Sequence, residues 1–185
     1  MKKMIHFSFA ALVATVLFSC NAETKTATTE TDNTAISGQS AVQDNESAKD
    51  VVKVAAGSKD HTTLVAAVKQ AELVDVLSNA GPFTVFAPTN AAFDKLPKGT
   101  VEDLMKPENK EKLQDILQYH VYVGILKPEM LQDGQTYNEV NGGNITISVK
   151  DGKTVVNNSA TIIASIPASN GIIHVIDGVL LPPAK

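Results

Sequence analysis

The chain has 185 residues, one cysteine and a formal net charge of −4 at pH 7. Its basic residues are all lysine, so it lacks the guanidinium group that binds phosphate or carboxylate through two parallel hydrogen bonds. This charge balance argues against nucleic acid or anionic lipid headgroups as partners, and the single cysteine excludes an internal disulfide.

The N-terminal segment predicts a secretory signal. Two lysines precede an apolar run from about Phe7 to Phe18, which is shorter than the ~20 residues of a membrane-spanning helix. The run ends at Leu17-Phe-Ser-Cys20, which resembles the lipobox of bacterial lipoproteins. The resemblance implies that residues 1–19 are removed and that Cys20 is acylated, which would anchor the protein to a membrane. The alternative is an incidental cysteine at the end of an ordinary signal peptide.

Residues 20–50 predict a flexible tether. This stretch is rich in Thr, Ala, Asn and acids and has no aromatic residue, so it cannot bury enough apolar surface to offset the entropy of ordering. From Asn21 to Asp50 it carries six acids and two lysines. We expect it to space a domain at residues 51–183 from the membrane, with a reach of ~30 Å. Some bacteria retain lipoproteins at the inner membrane through an aspartate after the cysteine, and Asn21 in that place favours the outer membrane.

The domain begins with helical patterns. Asp60 is predicted to cap a first helix, in which Leu64 and Val68 recur at helical spacing. A second apolar stripe follows and is predicted to end at Gly81 as the C′ residue. Both helices are expected to cover one side of a sheet.

The segment Gly81-Pro-Phe-Thr-Val-Phe-Ala-Pro-Thr-Asn-Ala-Ala-Phe93 predicts a strand, a fixed corner and a capped helix. Phe83 to Ala87 is aromatic and β-branched and has the length of a strand. Pro88 ends the strand because it has no backbone donor, and Thr89 or Asn90 is predicted to cap the helix that follows.

A further helical region leads to Tyr119-His120. Thr100 begins a sequence similar to a capping box, and Glu108 to Gln118 is strongly helical. The apolar period then changes from about 3.6 to 2. Tyr119 and His120 are therefore predicted to lie at a helix-to-strand junction.

The remaining sequence is rich in strand patterns. Four strands are predicted, at Gln135–Val140, Asn144–Lys150, Thr154–Asn157 and Thr161–Ile166. Asp151-Gly152 is a signal for a two-residue hairpin turn. A last strand, buried on both faces, is predicted at Ile172–Leu181. His174 and Asp177 are an odd number of residues apart, so a regular strand would send their side chains to opposite faces.

Two blocks of this sequence are similar to the paired conserved blocks of the fasciclin domain, an extracytoplasmic adhesion module. The first is Gly81–Phe93, and the second is Asn170-Gly-Ile-Ile-His-Val-Ile-Asp-Gly-Val-Leu-Leu-Pro182. The resemblance covers roughly residues 47–183. It implies a compact α+β fold: a wedge-shaped β-sandwich of about seven strands with several helices along one edge. The block residues that it marks as structural are Thr84, Phe86, Pro88, Thr89, Asn90, Phe93, Asn170, Gly171, His174, Asp177 and Gly178.

The Tyr-His pair also belongs to this resemblance. In animal relatives the segment with its aliphatic flanks is associated with receptor binding, which implies a partner-binding role for Tyr119 and His120. The flanking residues here are Ile116, Leu117, Val121 and Val123. The alternative is that both side chains are buried at the junction and hydrogen-bonded to the backbone.

Motifs for catalysis or metal binding are absent from the sequence. Outside the signal, His61, His120 and His174 are more than 50 residues apart and have no cysteine nearby. No nucleophile elbow or phosphate-binding glycine loop occurs. A hydrolase is therefore a remote option, which would need a serine within hydrogen-bond reach of His120 or His174.

Together these features predict a non-enzymatic, membrane-anchored extracytoplasmic module that contacts cell-surface or matrix proteins or polysaccharides. No nucleic acid, metal or small-molecule cofactor is predicted. The alternative is an envelope protein that binds a small apolar or glycan ligand in a cleft between helices and sheet. An enclosed pocket with convergent polar groups would favour the alternative, and a filled core with an exposed patch would favour adhesion.

Overall fold

The structure is a computed structural model that describes residues 48–183. Cys20 and the predicted tether up to residue 47 lie outside the described residues. Between residues 48 and 183, six α-helices are interspersed with short 3-10 turns: α1 Val51–Ala56, α2 Thr62–Gln70, α3 Val74–Ser78, α4 Asn90–Asp94, α5 Thr100–Leu104 and α6 Lys110–Gln118. The strands are β1 Phe83–Pro88, β2 Val121–Val123, β3 Thr136–Asn138, β4 Asn144–Lys150, β5 Lys153–Val156, β6 Ala160–Ala168 and β7 Gly171–Ile176.

The seven strands form one sheet in the order β2-β1-β7-β6-β5-β4-β3. β1 and β7 run parallel, and the other neighbouring strands are antiparallel. The expected class, α+β with seven strands and several helices, is confirmed, although the strands form one continuous sheet. Val140, just beyond β3, donates its N–H to the Val121 carbonyl of β2 at 2.9 Å. This contact, called the seam below, joins the two ends of the sheet and nearly closes it.

Each face of the sheet buries its own apolar core. Side chains alternate along a strand, so β1 directs Val85 and Ala87 to one face and Phe86 to the other. On the first face the helices contribute residues such as Leu64 and Leu117. The second core is built around Phe86, Tyr119, Leu126, Leu131, Ile145, Ile147, Val156, Ala160, Ile176 and Leu180. Every residue of β7 is buried, as its apolar sequence predicts.

Asn170 and Gly171 position β7 against the rest of the domain. The Asn170 Oδ1 accepts from the Val51 N–H at 2.9 Å, and its Nδ2 donates to the carbonyls of Leu77 and Asn79 at 2.8 and 2.9 Å. Its own carbonyl accepts from the Phe83 N–H at 3.0 Å. Gly171 lies so close to Phe83 that a Cβ would overlap the Phe83 carbonyl. One dipeptide therefore joins α1, the end of α3 and β1.

Two predicted helix starts are wrong. Asp60 lies inside a 3-10 turn, where its own N–H donates to Ser58 Oγ at 3.3 Å, and α2 continues from that turn without a side-chain cap. Thr100 is the first residue of α5, and the preceding Gly99 occupies the N-cap position with φ of 88°. At both places the predicted cap is absent because the backbone turn before the helix starts it, without a side-chain hydrogen bond.

One predicted helix end is also wrong. α3 stops at Ser78, and Asn79 follows in an extended conformation with φ of −63° and ψ of 156°. Gly81 is therefore not the C′ residue. The helix ends early because the Leu77 and Asn79 carbonyls accept hydrogen bonds from Asn170, 91 or more residues away in the chain.

The predicted strand Asn144–Lys150 is found with the predicted bounds, and the other predicted strands are found with shifted ends. Asp151 and Gly152 have φ of 51° and 74°, as a two-residue hairpin turn requires. The last strand is shorter than predicted and ends at Ile176. The chain leaves the sheet there because the Asp177 carboxylate accepts from the Thr161 N–H at 2.6 Å. His174 lies within β7 and does not pair with Asp177, as their odd spacing predicts.

Glu139 is a buried acid beside the seam. Its side chain is 2% exposed, and neither carboxylate oxygen has a hydrogen-bond partner among residues 48–183. Burial raises the pKa of Glu139 from 4.5 to about 8. The group is therefore mainly protonated in the folded protein at neutral pH, whereas an exposed Glu in the unfolded chain is ionised.

We predict that Gly171→Ala lowers the free energy of unfolding by ~3 kcal/mol or more, because the new Cβ must push β7 away from β1. Urea unfolding followed by circular dichroism measures the change. Gly57→Ala is the matched control, since Gly57 has a right-handed φ of −75° and its added Cβ meets only ordinary contacts. Equal stability of the two variants would contradict the close approach at Gly171.

We predict that the stability gained or lost by Glu139→Gln depends on pH. Between pH 4.5 and about 8 the unfolded wild type has released the Glu139 proton and the folded wild type retains it. The wild-type free energy of unfolding therefore falls as pH rises, by up to ~1.4 kcal/mol per pH unit from this group. Relative to wild type, Glu139→Gln should become more stable across this window. Unfolding titrations at pH 5, 6, 7 and 8 test this, with Glu129→Gln, an exposed acid, as the control. A pH-independent difference would contradict it.

Candidate functional site

Tyr119 lies at the junction of α6 and β2, as predicted, and is buried. It is 2% exposed. Its hydroxyl donates to the Asn144 carbonyl at 2.7 Å and accepts from Asn157 Nδ2 at 2.9 Å. Its ring also lies against Gly143, where a Cβ would come within 2.8 Å of it. Tyr119 therefore joins the end of α6 to the start of β4 and to the turn after β5.

His120 is also buried, with 3% of its surface exposed. Its Nδ1 lies 2.8 Å from the Ile116 carbonyl and must donate to it, while Nε2 accepts from the Leu180 N–H at 3.0 Å. Burial lowers the pKa of His120 from 6.5 to about 4, against a smaller opposing effect of the Ile116 carbonyl. The imidazole is therefore neutral at neutral pH and connects α6 to the C-terminal segment.

This geometry is the buried, hydrogen-bonded arrangement that the sequence left open as an alternative. The partner-binding role of Tyr119 and His120 stays a prediction. With so little exposed surface, any such role has to act through the neighbouring residues that the pair positions.

The residues that follow are exposed. Val123, at the end of β2, is 61% exposed, and Ile125 is 47% exposed. They flank Gly124, whose φ of 148° is rarely adopted by a residue with a side chain. Val123 and Ile125 form what we call the apolar ridge.

A series of hydrogen bonds from buried side chains holds the backbone of the ridge in place. Thr84 Oγ1 donates to the Gly124 carbonyl at 2.7 Å and accepts from the Leu126 N–H at 2.9 Å. His174 Nε2 donates to the Leu126 carbonyl at 2.7 Å, and Nδ1 accepts from Ser165 Oγ at 2.8 Å. This Thr84–His174 network clamps residues 124–126 from β1, β7 and β6.

His174 is completely buried, and its ring lies 5.5 Å from that of Phe86. Burial lowers the pKa of His174, partly offset by its hydrogen bond to the Leu126 carbonyl. The neutral imidazole suits both bonds, because Nε2 must carry a hydrogen and Nδ1 a lone pair. His174, a residue of the second sequence block, therefore acts as a buried polar support for the ridge.

The Ser165–His174 contact is the serine–histidine pair that a hydrolase would need. His174 is nevertheless inaccessible, and its second nitrogen bonds a backbone carbonyl. In the hydrogen-bonded arrangement of residues 48–183, no carboxylate contacts His174. The pair therefore lacks the carboxylate that orients the histidine of a catalytic triad, and a substrate has no access to it. Its hydrogen bond is part of the Thr84–His174 network.

The other block residues lie at separate places. Thr89 caps α4 by accepting from the Ala92 N–H at 3.2 Å. Asn90 instead accepts from the Thr63 N–H at 3.0 Å and donates to the Lys59 carbonyl at 3.0 Å, so it holds α2. Pro88 and Phe93 line an apolar space beneath α5. Asp177 and Gly178 follow β7, where Asp177 Oδ2 lies 3.8 Å from Lys95 Nζ and Gly178 lies against Ser159 and Ala160.

Ile125 and Leu126 were not singled out from the sequence, whereas Ser165 was one of four serines, with Ser148, Ser159 and Ser169, considered as a partner of His120 or His174. Val121 to Leu126 reads as an apolar strand in which every second residue would be buried. The alternation is already lost at Val123, which is exposed although Val121 is buried, and beyond Gly124 Ile125 is exposed and Leu126 is buried. A glycine between two apolar residues is the only local signal of this break.

Two small cavities beside His120 lie between the helices and the sheet. Each has a volume of about 30 Å³, and both are lined by apolar side chains and by His120. A larger surface groove of about 480 Å³ beside α5 includes Thr63, Asp94, Lys98 and Glu102 in its lining.

Within residues 48–183, no three His, Cys, Asp or Glu side chains gather as metal ligands would. In the same part of the chain, no helix has the length and apolar character needed to cross a membrane.

The sequence and fold were compared with those of known proteins. The Fasciclin domain family model matches residues 59–182. Protein sll1483 of Synechocystis is 52% identical over 153 residues, which are 83% of this chain and 83% of that protein. Immunogenic protein MPB70 of Mycobacterium bovis is 38% identical, covering 74% of this chain and 71% of its own length. Cell surface glycolipoprotein MPB83 of the same species is 41% identical over 61% of this chain and 49% of its own.

Among solved structures, the chain is similar to a FAS1 domain pair from the insect cell adhesion molecule Fasciclin I. The TM-score is 0.65 at 19% identity, and the match covers 72% of this chain and 51% of the insect chain. That likeness shows a shared fold. The family match over residues 59–182, which are most of the described domain, shows that this chain belongs to the fasciclin domain family.

Proposed function

We propose that this protein is a non-enzymatic adhesion module of the bacterial cell envelope, which contacts proteins or polysaccharides of other cells, of the matrix or of the surface. Acylated Cys20 would hold it on the outer membrane, and residues 21–47 would act as its tether. The predicted tether to residue 50 is too long, because the Lys49 carbonyl accepts from the Ser169 N–H and the buried Asp50 side chain caps α1. Membership of the fasciclin family supports an extracellular module of the adhesion type. The name of its relative MPB83, a cell surface glycolipoprotein, agrees with an anchored surface protein.

The observation that carries this proposal is the apolar ridge on its rigid support. Val123 and Ile125 are exposed, and the Thr84–His174 network fixes the backbone between them. The surrounding stretch, residues 116–126, contains no charged side chain. Exposed apolar side chains on a fixed backbone lose little entropy on binding and are typical of contact surfaces. The Tyr-His pair would support binding by holding α6, β4 and the C-terminal segment around this ridge.

The internal cavities argue against a small apolar ligand. A volume of about 30 Å³ each is room for about two water molecules. Their one polar lining residue, His120, has both ring nitrogens bonded to the protein. The core is therefore filled, and the groove beside α5 is an open surface feature that does not enclose a ligand. Both features favour contact through the surface.

Contacts through a ridge of two side chains are individually weak. Many copies anchored to one membrane would act together. When one copy is bound, a tether of ~30 residues lets neighbouring copies reach further partners. Adhesion would then arise from the number of contacts and not from the strength of one.

We predict that Val123→Thr/Ile125→Thr weakens adhesion by about tenfold, since the variant removes apolar contact area and keeps β-branched side chains. Residues 20–185 are coupled to beads through Cys20, and retention of envelope and matrix proteins and polysaccharides is measured to saturation. The control, Val149→Thr/Ile163→Thr, changes residues of similar exposure, 45% and 58%, on β4 and β6. Equal loss in the two variants would show that the ridge is not the site.

We predict that Thr84→Val weakens the same retention and lowers the free energy of unfolding by ~1–3 kcal/mol. The isosteric side chain leaves the Gly124 carbonyl and the Leu126 N–H without their partner. Amide hydrogen exchange should quicken at Leu126. Thr146→Val, at an exposed position of β4, is the control. Unchanged exchange at Leu126 would mean that the network does not hold the ridge.

A further inference from the structure

β2 is the terminal strand of the sheet, so one of its edges faces β1 and the other faces outward. Two hydrogen bonds show which residues of β2 turn their backbone groups toward β1. The Phe86 N–H donates to the His120 carbonyl, and the Gly124 N–H donates to the Pro82 carbonyl. Residues 120, 122 and 124 turn their backbone groups toward β1. Val121 and Val123, which stand opposite Val85 and Phe83, turn theirs away from it.

The outward edge is occupied at one end only. The Val121 carbonyl accepts from Val140 at the seam. At Val123, two residues further along, no described residue hydrogen-bonds to the outward N–H or carbonyl. A further strand placed here would continue the line of pairing that Val140 begins.

The edge strand is only three residues long, which limits pairing, but it lacks two other common protections. Exposed edge strands commonly carry charged side chains or proline, which discourage the addition of another strand. From Gln118 to Leu126 there is no charged residue and no proline. Val123 combines backbone groups that no residue between 48 and 183 bonds with a 61% exposed apolar side chain.

We infer that the β2 edge at Val123 accepts an extended segment of a partner protein as an added strand, with apolar side chains of that segment on the ridge. The inference rests on the proposed adhesive function and specifies its partner as a polypeptide. A polypeptide presents alternating N–H and carbonyl groups at the spacing of this edge, and a polysaccharide does not. The site is short, so each contact would be weak, which agrees with adhesion through many contacts at once.

The test uses a synthetic probe peptide with alternating threonine and valine, flanked by lysines for solubility, and the same peptide with N-methyl groups on alternate residues. Binding to residues 20–185 is followed by NMR. The unmethylated probe should slow amide exchange at Val123 by about tenfold, and methylation along the pairing edge should weaken binding by about tenfold. Absence of binding by the unmethylated probe would overturn the inference.

Two variants separate backbone pairing from side-chain contact. Val123→Pro removes the outward donor but leaves the bonds of Tyr122 and Gly124 to β1, a placement that edge strands tolerate. Val123→Thr keeps the donor. Probe binding should fall about tenfold in Val123→Pro and less in Val123→Thr. If Val123→Pro does not fold, the methylated probe on the wild-type protein carries the same comparison.

The outcomes distinguish this inference from the proposed function. If Val123→Thr/Ile125→Thr loses envelope and matrix retention while methylation and Val123→Pro have no effect, adhesion stands and strand addition is overturned. If retention survives in every ridge variant, the proposed site itself fails. Sedimentation of the protein alone provides one more check, because a dimer that Val123→Pro abolishes would make the occupant a second copy of this chain and not a partner protein.

Discussion

The parallel pairing of β1 with β7 is the constraint on which the rest of the domain depends. Residues far apart in the chain meet there over six positions, from Phe83 opposite Gly171 to Pro88 opposite Ile176. The approach is so close that only glycine fits opposite Phe83, and the preceding Asn170 side chain holds two helices to the same corner. β2 is added on one side and β6 on the other, so both cores are built outward from this pair.

Polar groups inside the domain serve mainly to place backbone that regular secondary structure leaves unpaired. Thr84, His174, Tyr119 and His120 each bond carbonyls or N–H groups of loops and chain ends. Both histidines are kept neutral by burial, so they act as fixed donors and acceptors at neutral pH. Glu139 differs from this pattern because its carboxyl group is buried without a partner among the described residues.

The candidate site follows from this internal arrangement. Tyr119 and His120, which the family resemblance marks for binding, are buried. The residues that follow them form a short edge strand and the exposed ridge. A surface of this kind has no chemistry of its own. The proposed binding would rest on the exposed apolar side chains, on the Val123 backbone groups that no residue in the described part of the chain bonds, and on the rigidity that the buried hydrogen bonds supply.

Local patterns in the sequence determined the elements themselves: the β1 strand and the helix after it, the hairpin at Asp151-Gly152, the apolar β7 and the helix-to-strand change at Tyr119. These depend on periodicity and turn chemistry, which neighbouring residues decide among themselves. Tertiary structure decided the early end of α3, the exit of the chain after Ile176, the burial of Tyr119 and His120 and the exposure of Ile125. Each depends on a hydrogen bond or a close contact with residues distant in the chain, such as Asn170 with Leu77 or Thr84 with Leu126, which local patterns do not encode.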